Sequence, residues 1–421
     1  MAMIEAVAAN SEASVRESQD AVRYIARQPI LDLRGHVHAY ALLFDTGSDG
    51  VPGGGNRDAA RAILDDMVLF GLDKLTGGVP AFIKCTSETL TQQLVAVLPP
   101  ETTVLAIPES VKVSDHLMEA CRELKKAGFK LALIDFAGNP WAHPLLDLVD
   151  YVKVDLTKLD ASGRSSFREL LTGKSIAMVA DRVDTQEDYR KAVEEGFKYF
   201  QGLYFCYPEL IHNAKVPANR PFHFEIMRQL QGETLNLPKL CPLIRRDASL
   251  VLRLLRLVNS PVCAIRQEVS SVESAIVILG ETTFRRVANL AILREMNAEQ
   301  PAEILHMALV RARFCELAAA HAQLDANEQY LVGMLSLLPA MLRCPMEKLV
   351  PELPLRGEIR QALLGEDRRE RCLLSWIESH ERAHFSGSNT VASAYGLNEQ
   401  KLTQYYVDAI VWDATTARLI A

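Results

Sequence analysis

His380-Glu381-Arg382-Ala383-His384 is a formal H-E-x-x-H motif. On one helix the two imidazoles would share a face and could hold zinc, with Glu381 as general base. The surroundings argue against that chemistry. Phe385-Ser386-Gly387-Ser388 follows at once, and no histidine occurs after His384, so a third ligand would have to be an acid such as Glu399. Two exposed histidines at a helix end are the expectation, and a zinc metalloprotease is the minor alternative. His306 and His321 read as isolated surface or packed histidines. Residues 47–56 (GSDGVPGGGN) are glycine-rich, but they lack the Lys-Ser/Thr and the helix start that a phosphate-cradling loop needs, so they read as a plain loop. The eight cysteines form no C-x-x-C pair and lie in apolar stretches. They read as reduced, buried thiols rather than a zinc cluster or a disulfide framework.

The elements that must carry any site fall into two groups. Strand-like pieces at 25–31, 37–44, 81–85, 104–107, 130–135, 151–154, 176–180 and 199–201 alternate with amphipathic pieces at 58–70, 115–127, 163–171 and 185–195. Several strands are continuous apolar runs ending in one polar residue, the pattern of strands buried on both faces of a parallel sheet. About eight strands in about 190 residues fit a compact (β/α) barrel. After the proline-bearing segment 214–221 the strand signal disappears. Apolar residues then recur at helical spacing, as in Leu250, Leu254, Leu257 and Val258. The expected organisation is a loose tail over 1–22, a barrel over 23–213, a linker over 214–221 and an all-α domain over 222–421.

The chain has 421 residues, 49% hydrophobic and 24% charged, with a formal net charge of −7. That is an ordinary globular composition, and the acidic balance argues against a general nucleic-acid surface. No apolar run reaches membrane-spanning length, and the first residues lack the basic start and apolar core of a signal peptide. A cytoplasmic protein with no nucleic-acid or membrane partner is expected.

Tyr24-Ile25-Ala26-Arg27-Gln28-Pro29-Ile30, Gly35 and Tyr40-Ala41-Leu42-Leu43-Phe44 resemble the opening strands of EAL domains. Ile134-Asp135-Phe136, Val152-Lys153-Val154-Asp155, Val179-Ala180-Asp181-Arg182-Val183-Asp184-Thr185 and Gln201-Gly202-Leu203-Tyr204-Phe205 resemble later EAL segments in the right order. Arg246-Asp247-Ala248-Ser249-Leu250, the run 254–260, the run 270–276 and Leu279-Gly280 resemble HDOD domains. The whole is similar to the YuxH-type family, in which an EAL-like domain precedes an HDOD domain. The implied fold is an EAL-type modified (β/α)8, TIM-like barrel followed by an all-α HDOD domain.

The resemblance implies a site that hydrolyses cyclic di-GMP with two divalent cations in a carboxylate-rich cup. Carried over residue by residue, the glutamate of the Glu-Ala-Leu motif falls on Ala41 and the next strand's asparagine on Lys84. The first glutamate of the third-strand pattern falls on Ala106, and its second survives as Glu109. The first aspartate of the Asp-Asp pair falls on Ile134, and the second survives as Asp135. Lys153, Asp155, Gln201 and, in the first strand, Gln28 remain, while the sixth-strand glutamate is shortened to Asp181. The arginine after Glu-Ala-Leu, which meets the ligand phosphate, is Asp45. At the HD-motif helix, Ser336 and Leu337 stand where His and Asp would be, and neither replaces a metal ligand. Four cup positions lack their oxygen, and Lys84 would repel a divalent ion while offering no lone pair. Asp135, Asp155 and Asp181 are expected to pair with Lys84 and Lys153. The resulting expectation is a chain that catalyses nothing and holds neither metal nor cofactor. It would serve as a scaffold for other signalling proteins in cyclic di-GMP-related regulation. Alternatives are an inactive cyclic di-GMP receptor and a homodimer.

Overall fold

The computed structural model describes residues 24–45, 71–158, 169–206, 220–232, 234–259, 269–353 and 355–420. The expected tail 1–22, the glycine-rich loop 47–56, the amphipathic piece 58–70, most of 163–171 and all but the end of the linker 214–221 lie outside these residues, as does Cys263. The other seven cysteines are free and buried.

All eight expected strands form. They are β1 (Tyr24–Asp32), β2 (Val37–Asp45), β3 (Ala81–Lys84), β4 (Thr103–Pro108), β5 (Lys130–Ile134), β6 (Tyr151–Asp155), β7 (Ala177–Asp181) and β8 (Tyr199–Gln201). They close into a barrel in sequence order. One difference from an all-parallel sheet stands out: β1 runs antiparallel to both β2 and β8. The cause is local. Four residues, 33–36, join β1 to β2, far too few for a helical crossover, so only a hairpin can form. Gly35 supplies the left-handed turn at φ 77°. The barrel interior is apolar, built on Ile30, Ala39, Phe82, Val104, Ala132 and Tyr151 among others.

Outside the barrel lie α1 (Leu72–Thr76), α2 (Asp115–Lys126) and α3 (Gln186–Glu194). Ser114 and Thr185 cap α2 and α3 by accepting from Leu117 N–H and Asp188 N–H. The chain is then helical, through α4 (Arg220–Leu230), α5 (Leu237–Arg245), α6 (Ala248–Val258), α7 (Val272–Met296), α8 (Ala302–Ala319), α9 (Ala326–Leu335), α10 (Cys372–Glu381), α11 (Phe385–Tyr395) and α12 (Glu399–Ile420). Leu250, Leu254, Leu257 and Val258 form the buried stripe of α6, whose N-terminus Asp247 caps. Gly280 interrupts α7 with φ 75°. Gly333 lets α9 press on α8, because a Cβ there would sit 2.4 Å from the Arg311 carbonyl oxygen. No helix among the described residues is long and apolar enough to cross a membrane.

Barrel and helical half share one apolar core running from Ile25 to Ile410. β1 lies against α10 and α12, and α1 also packs on α12. At the centre is Arg27, whose Nη1 donates to Leu75 O at 3.0 Å and whose Nη2 lies 3.7 Å from Asp413 Oδ2. Its guanidinium covers the Tyr40 ring at 4.4 Å, and Tyr40 OH donates to Glu303 Oε2 at 2.8 Å. Burial works against the Arg27 charge, yet Tyr40, Glu303 and Asp413 hold its pKa above the ordinary arginine value. His306 Nδ1 donates to Asp413 Oδ1 at 3.1 Å, and His380 Nε2 donates to Ile25 O at 2.9 Å.

Two predictions follow from this junction. Arg27→Met leaves Glu303 and Asp413 buried without their cation and should lower stability by about 3–5 kcal/mol, read as a lower urea midpoint. The second concerns pH. Burial lowers His380 from 6.5 to about 4, against the pull of its bond to Ile25. Between those values the unfolded chain takes up a proton that the fold refuses, so stability should fall by about 3 kcal/mol as pH drops across that window. His306 acts the other way: burial lowers its pKa, but Asp413 and Glu303 raise it overall. Its contribution is therefore full at low pH and fades as pH rises through its folded value. Thermal unfolding followed from pH 7 to 4 should show a shallower acid loss in His380→Gln, which keeps a donor for Ile25 but does not titrate.

Candidate functional site

The parallel strands of the barrel end on one rim, and there the polar residues stand. Lys84, Asp155, Asp181 and Gln201 are the last residues of β3, β6, β7 and β8, and Asp135 follows the end of β5. In a barrel of this kind the rim at the strand C-termini is where binding and chemistry are built. A cavity of about 490 Å³ opens there, within the range of small-ligand sites. Of the eleven barrel residues expected at the site, nine line it: Gln28, Ala41, Lys84, Ala106, Ile134, Asp135, Lys153, Asp181 and Gln201.

Glu109 and Asp155 do not line it. Glu109 is buried and turned to the loop after β5, where it accepts from Ala137 N–H at 3.1 Å and Asn139 N–H at 2.8 Å, as well as from the Asn139 amide. Asp155 accepts from Thr157 N–H at 3.0 Å and from its hydroxyl at 2.6 Å. Burial raises the Asp155 carboxyl, but the Thr157 bonds with Arg182 and Lys158 bring it below its ordinary value.

The lysines of the mouth are paired. Lys84 Nζ is 3.6 Å from Asp135 Oδ2, half-exposed, while Lys153 Nζ is 2.9 Å from Asp181 Oδ2 and nearly buried. Lys153 also donates to Gln201 Oε1 at 3.0 Å, Gln201 Nε2 to Gln28 Oε1 at 2.8 Å, and Gln28 Nε2 to the Glu381 carbonyl at 2.9 Å. Asp155 is held by Arg182 at 3.4 Å and Lys158 at 3.6 Å instead of by Lys84 or Lys153. Asp135 and Arg182 both sit at φ 56°, a strained setting that recurs at functional sites.

These residues do not fit a two-cation centre. Ala41, Ala106 and Ile134 are part of the apolar barrel lining, the two ammonium groups hold the neighbouring carboxylates, and no cluster of three or more metal-ligating side chains occurs among the described residues. The fold brings together lysine–carboxylate pairs and amides suited to an anionic ligand.

The other motifs resolve differently. Ser336 donates to Gly333 O at 2.7 Å and accepts from Arg311 Nη1 at 3.1 Å, beside buried Leu337. Arg311 is clasped by Glu381, with Nη2 to Oε2 at 2.6 Å. A buried guanidinium thus stands beside the HD position. The H-E-x-x-H residues share no face: α10 stops at Glu381, Ala383 turns to φ 56°, and His384 precedes α11. His380 is fully buried, stacked on Trp376 at 4.4 Å, which corrects the expectation of an exposed histidine there, while His384 is exposed. A zinc-protease arrangement is not formed. His321 is packed at its ring nitrogen, accepting from Asn398 N–H at 2.9 Å.

Sequence reasoning missed four charged or polar lining residues: Arg182 and Asp184 after β7, and Arg382 and His384 from the turn between α10 and α11. The last two lie inside the H-E-x-x-H segment, so the residues were singled out but for another chemistry.

The EAL domain family matches residues 83–208 and the HDOD domain family residues 216–353. A Vibrio cholerae protein named cyclic di-GMP phosphodiesterase CdgJ is 30% identical over 404 residues, 94% of each chain. The uncharacterized protein YuxH of Bacillus subtilis is 28% identical over 92% of this chain and 97% of its own. Among solved structures, the manganese/cyclic di-GMP complex of Klebsiella pneumoniae BlrP1 is 22% identical, with TM-score 0.37, covering 44% of this chain and 56% of that one. The expectation of a chain that catalyses nothing is corrected by the Vibrio match: a relative aligned along nearly its whole length bears a phosphodiesterase's name. Asp135, Lys153, Asp181 and Gln201 stand together at the mouth. The chain belongs to the family of EAL and HDOD domain-containing signal transduction proteins.

Proposed function

We propose that the barrel mouth binds cyclic di-GMP and that the chain acts in cyclic di-GMP signalling through this site, with the helical half offering surfaces to partner signalling proteins. The observation that carries the reading is the pair of lysines on the rim of a cavity of about 490 Å³. The ligand is a cyclic phosphodiester with one negative charge on each of two phosphates. Lys84 suits the first phosphate: its pairing with Asp135 is loose and half-exposed, and such a pair is worth about 0–1 kcal/mol, so a phosphate can exchange for the carboxylate. Lys153 is fixed by Asp181 and Gln201 and presents a charge of set position. The Vibrio relative's name brings phosphodiester hydrolysis to the same mouth. In that reaction a water oxygen bonds to phosphorus, the ester P–O bond breaks, and the leaving ribose oxygen takes up a proton. Charge that builds on the phosphoryl oxygens would meet the two ammonium groups.

Titration calorimetry of cyclic di-GMP into the full chain should show saturable binding. Lys153→Met should weaken it at least tenfold, about 1.4 kcal/mol. No binding by the wild type at tens of micromolar protein would overturn the reading. Chromatography of the same mixtures over time reads turnover directly, as the linear dinucleotide.

A further inference from the structure

We propose that Arg382 and His384, both carried by the helical half, are ligand-contacting residues of the barrel mouth, so that one bound anion is held by both halves at once. The inference rests on the mouth being a cyclic dinucleotide site. Both residues line the same cavity as Lys84 and Lys153. Charge gives the first argument. Among the described residues, the barrel contributes Lys84, Lys153 and Arg182 to the lining, against Asp135, Asp181 and Asp184. The barrel's own lining charges therefore cancel, and Arg382 adds a fourth cation to the lining. Its planar guanidinium can also meet a phosphate through two parallel N–H donors, which an ammonium cannot.

The second argument is that the turn is built in place. The Glu381 carbonyl accepts from Gln28 at 2.9 Å. Ala383 N–H donates to His380 O at 2.8 Å, and His384 N–H to Ser379 O at 2.9 Å. Phe385 packs on Ala26 of β1, with Leu43 and Ala383 against them. Ala383 holds φ 56°, so the chain accepts local strain where it brings Arg382 and His384 over the mouth. Gln28 is the positioning residue. It ties the turn on one side and Gln201, hence Lys153, on the other.

The third argument is what the barrel wall lacks. Ala41, Ala106 and Ile134 carry no side-chain polar atom, so on that side of the mouth Lys84 is joined by the donors of the turn. Because the ligand then touches both halves, its binding must tighten their docking by the same free energy that docking adds to binding.

The test is titration of cyclic di-GMP into the full chain and its variants, with ligand-dependent thermal unfolding as a second readout. Arg382→Gln with His384→Gln should weaken binding at least tenfold and abolish most of the ligand-induced rise in Tm, with the ligand-free Tm little changed. Arg382→Lys, which keeps charge but not the fork, should fall between wild type and the double variant. Gln28→Ala should weaken binding several-fold although it keeps every cation. Wild type that binds while the double variant or Arg382→Lys binds equally well overturns this inference alone. Wild type that does not bind overturns the site assignment and this inference with it.

Discussion

A guanidinium buried between two halves of a chain is costly unless its surroundings return what water supplied. Arg27 sets that condition here. It lies on β1, the strand that closes the barrel, yet one of its carboxylates comes from α12 and the Tyr40 ring over which it sits is fixed by Glu303 of α8. The barrel alone would leave this charge facing solvent beside an apolar surface. The helical half alone would leave Glu303 and Asp413 without their cation. The two halves therefore satisfy each other, and the shared apolar core from Ile25 to Ile410 is consistent with that. Docking of α10 and α12 on β1 in turn decides where the turn after α10 is placed.

The mouth shows how ion pairing sets the character of a pocket. With Lys84 beside Asp135 and Lys153 beside Asp181, the carboxylates are neutralised by protein cations. A divalent ion would have to displace an ammonium group that is already in place, and Lys84 contributes repulsion without a lone pair. Ala41, Ala106 and Ile134 belong to the apolar barrel lining beneath, which forms the floor of the pocket.

Strand positions were legible because each strand is a short apolar run closed by a polar residue, and β8 at Tyr199–Gln201 matches its expected limits. The antiparallel setting of β1 was not read from the sequence: the repeated strand–helix pattern pointed to a parallel sheet, and the short link between β1 and β2 forces a hairpin instead. Residues at the ends of strands could be assigned to the rim because strand direction alone puts them there. Glu109 and Asp155 could not be separated from the rest, since their turning away depends on amide donors at 137, 139 and 157 that no side-chain pattern reveals. The H-E-x-x-H spacing misled because it presupposes a continuous helix, and the left-handed Ala383 breaks the one it needs. The junction was invisible for a different reason. Arg27 and Asp413 are almost a full chain apart, and only the closed barrel and the returning α12 bring them together.

The barrel mouth and the HD position share more than a chain. Lys153 bonds Gln201, Gln201 bonds Gln28, and Gln28 bonds the backbone carbonyl of Glu381. The side chain of the same Glu381 clasps Arg311, which bonds Ser336 at the HD position. Most of these groups are buried, so a partner lost anywhere along the line leaves a polar atom unsatisfied, at about 1–3 kcal/mol each. A rearrangement at the barrel mouth that rotated Gln28 would have to find Glu381 a new donor or move α10. A shift of α10 would conversely pull on the Gln201 amide beside Lys153. The line needs no special wire to couple the centres; it needs only that amides with few alternatives in an apolar junction keep the partners they have.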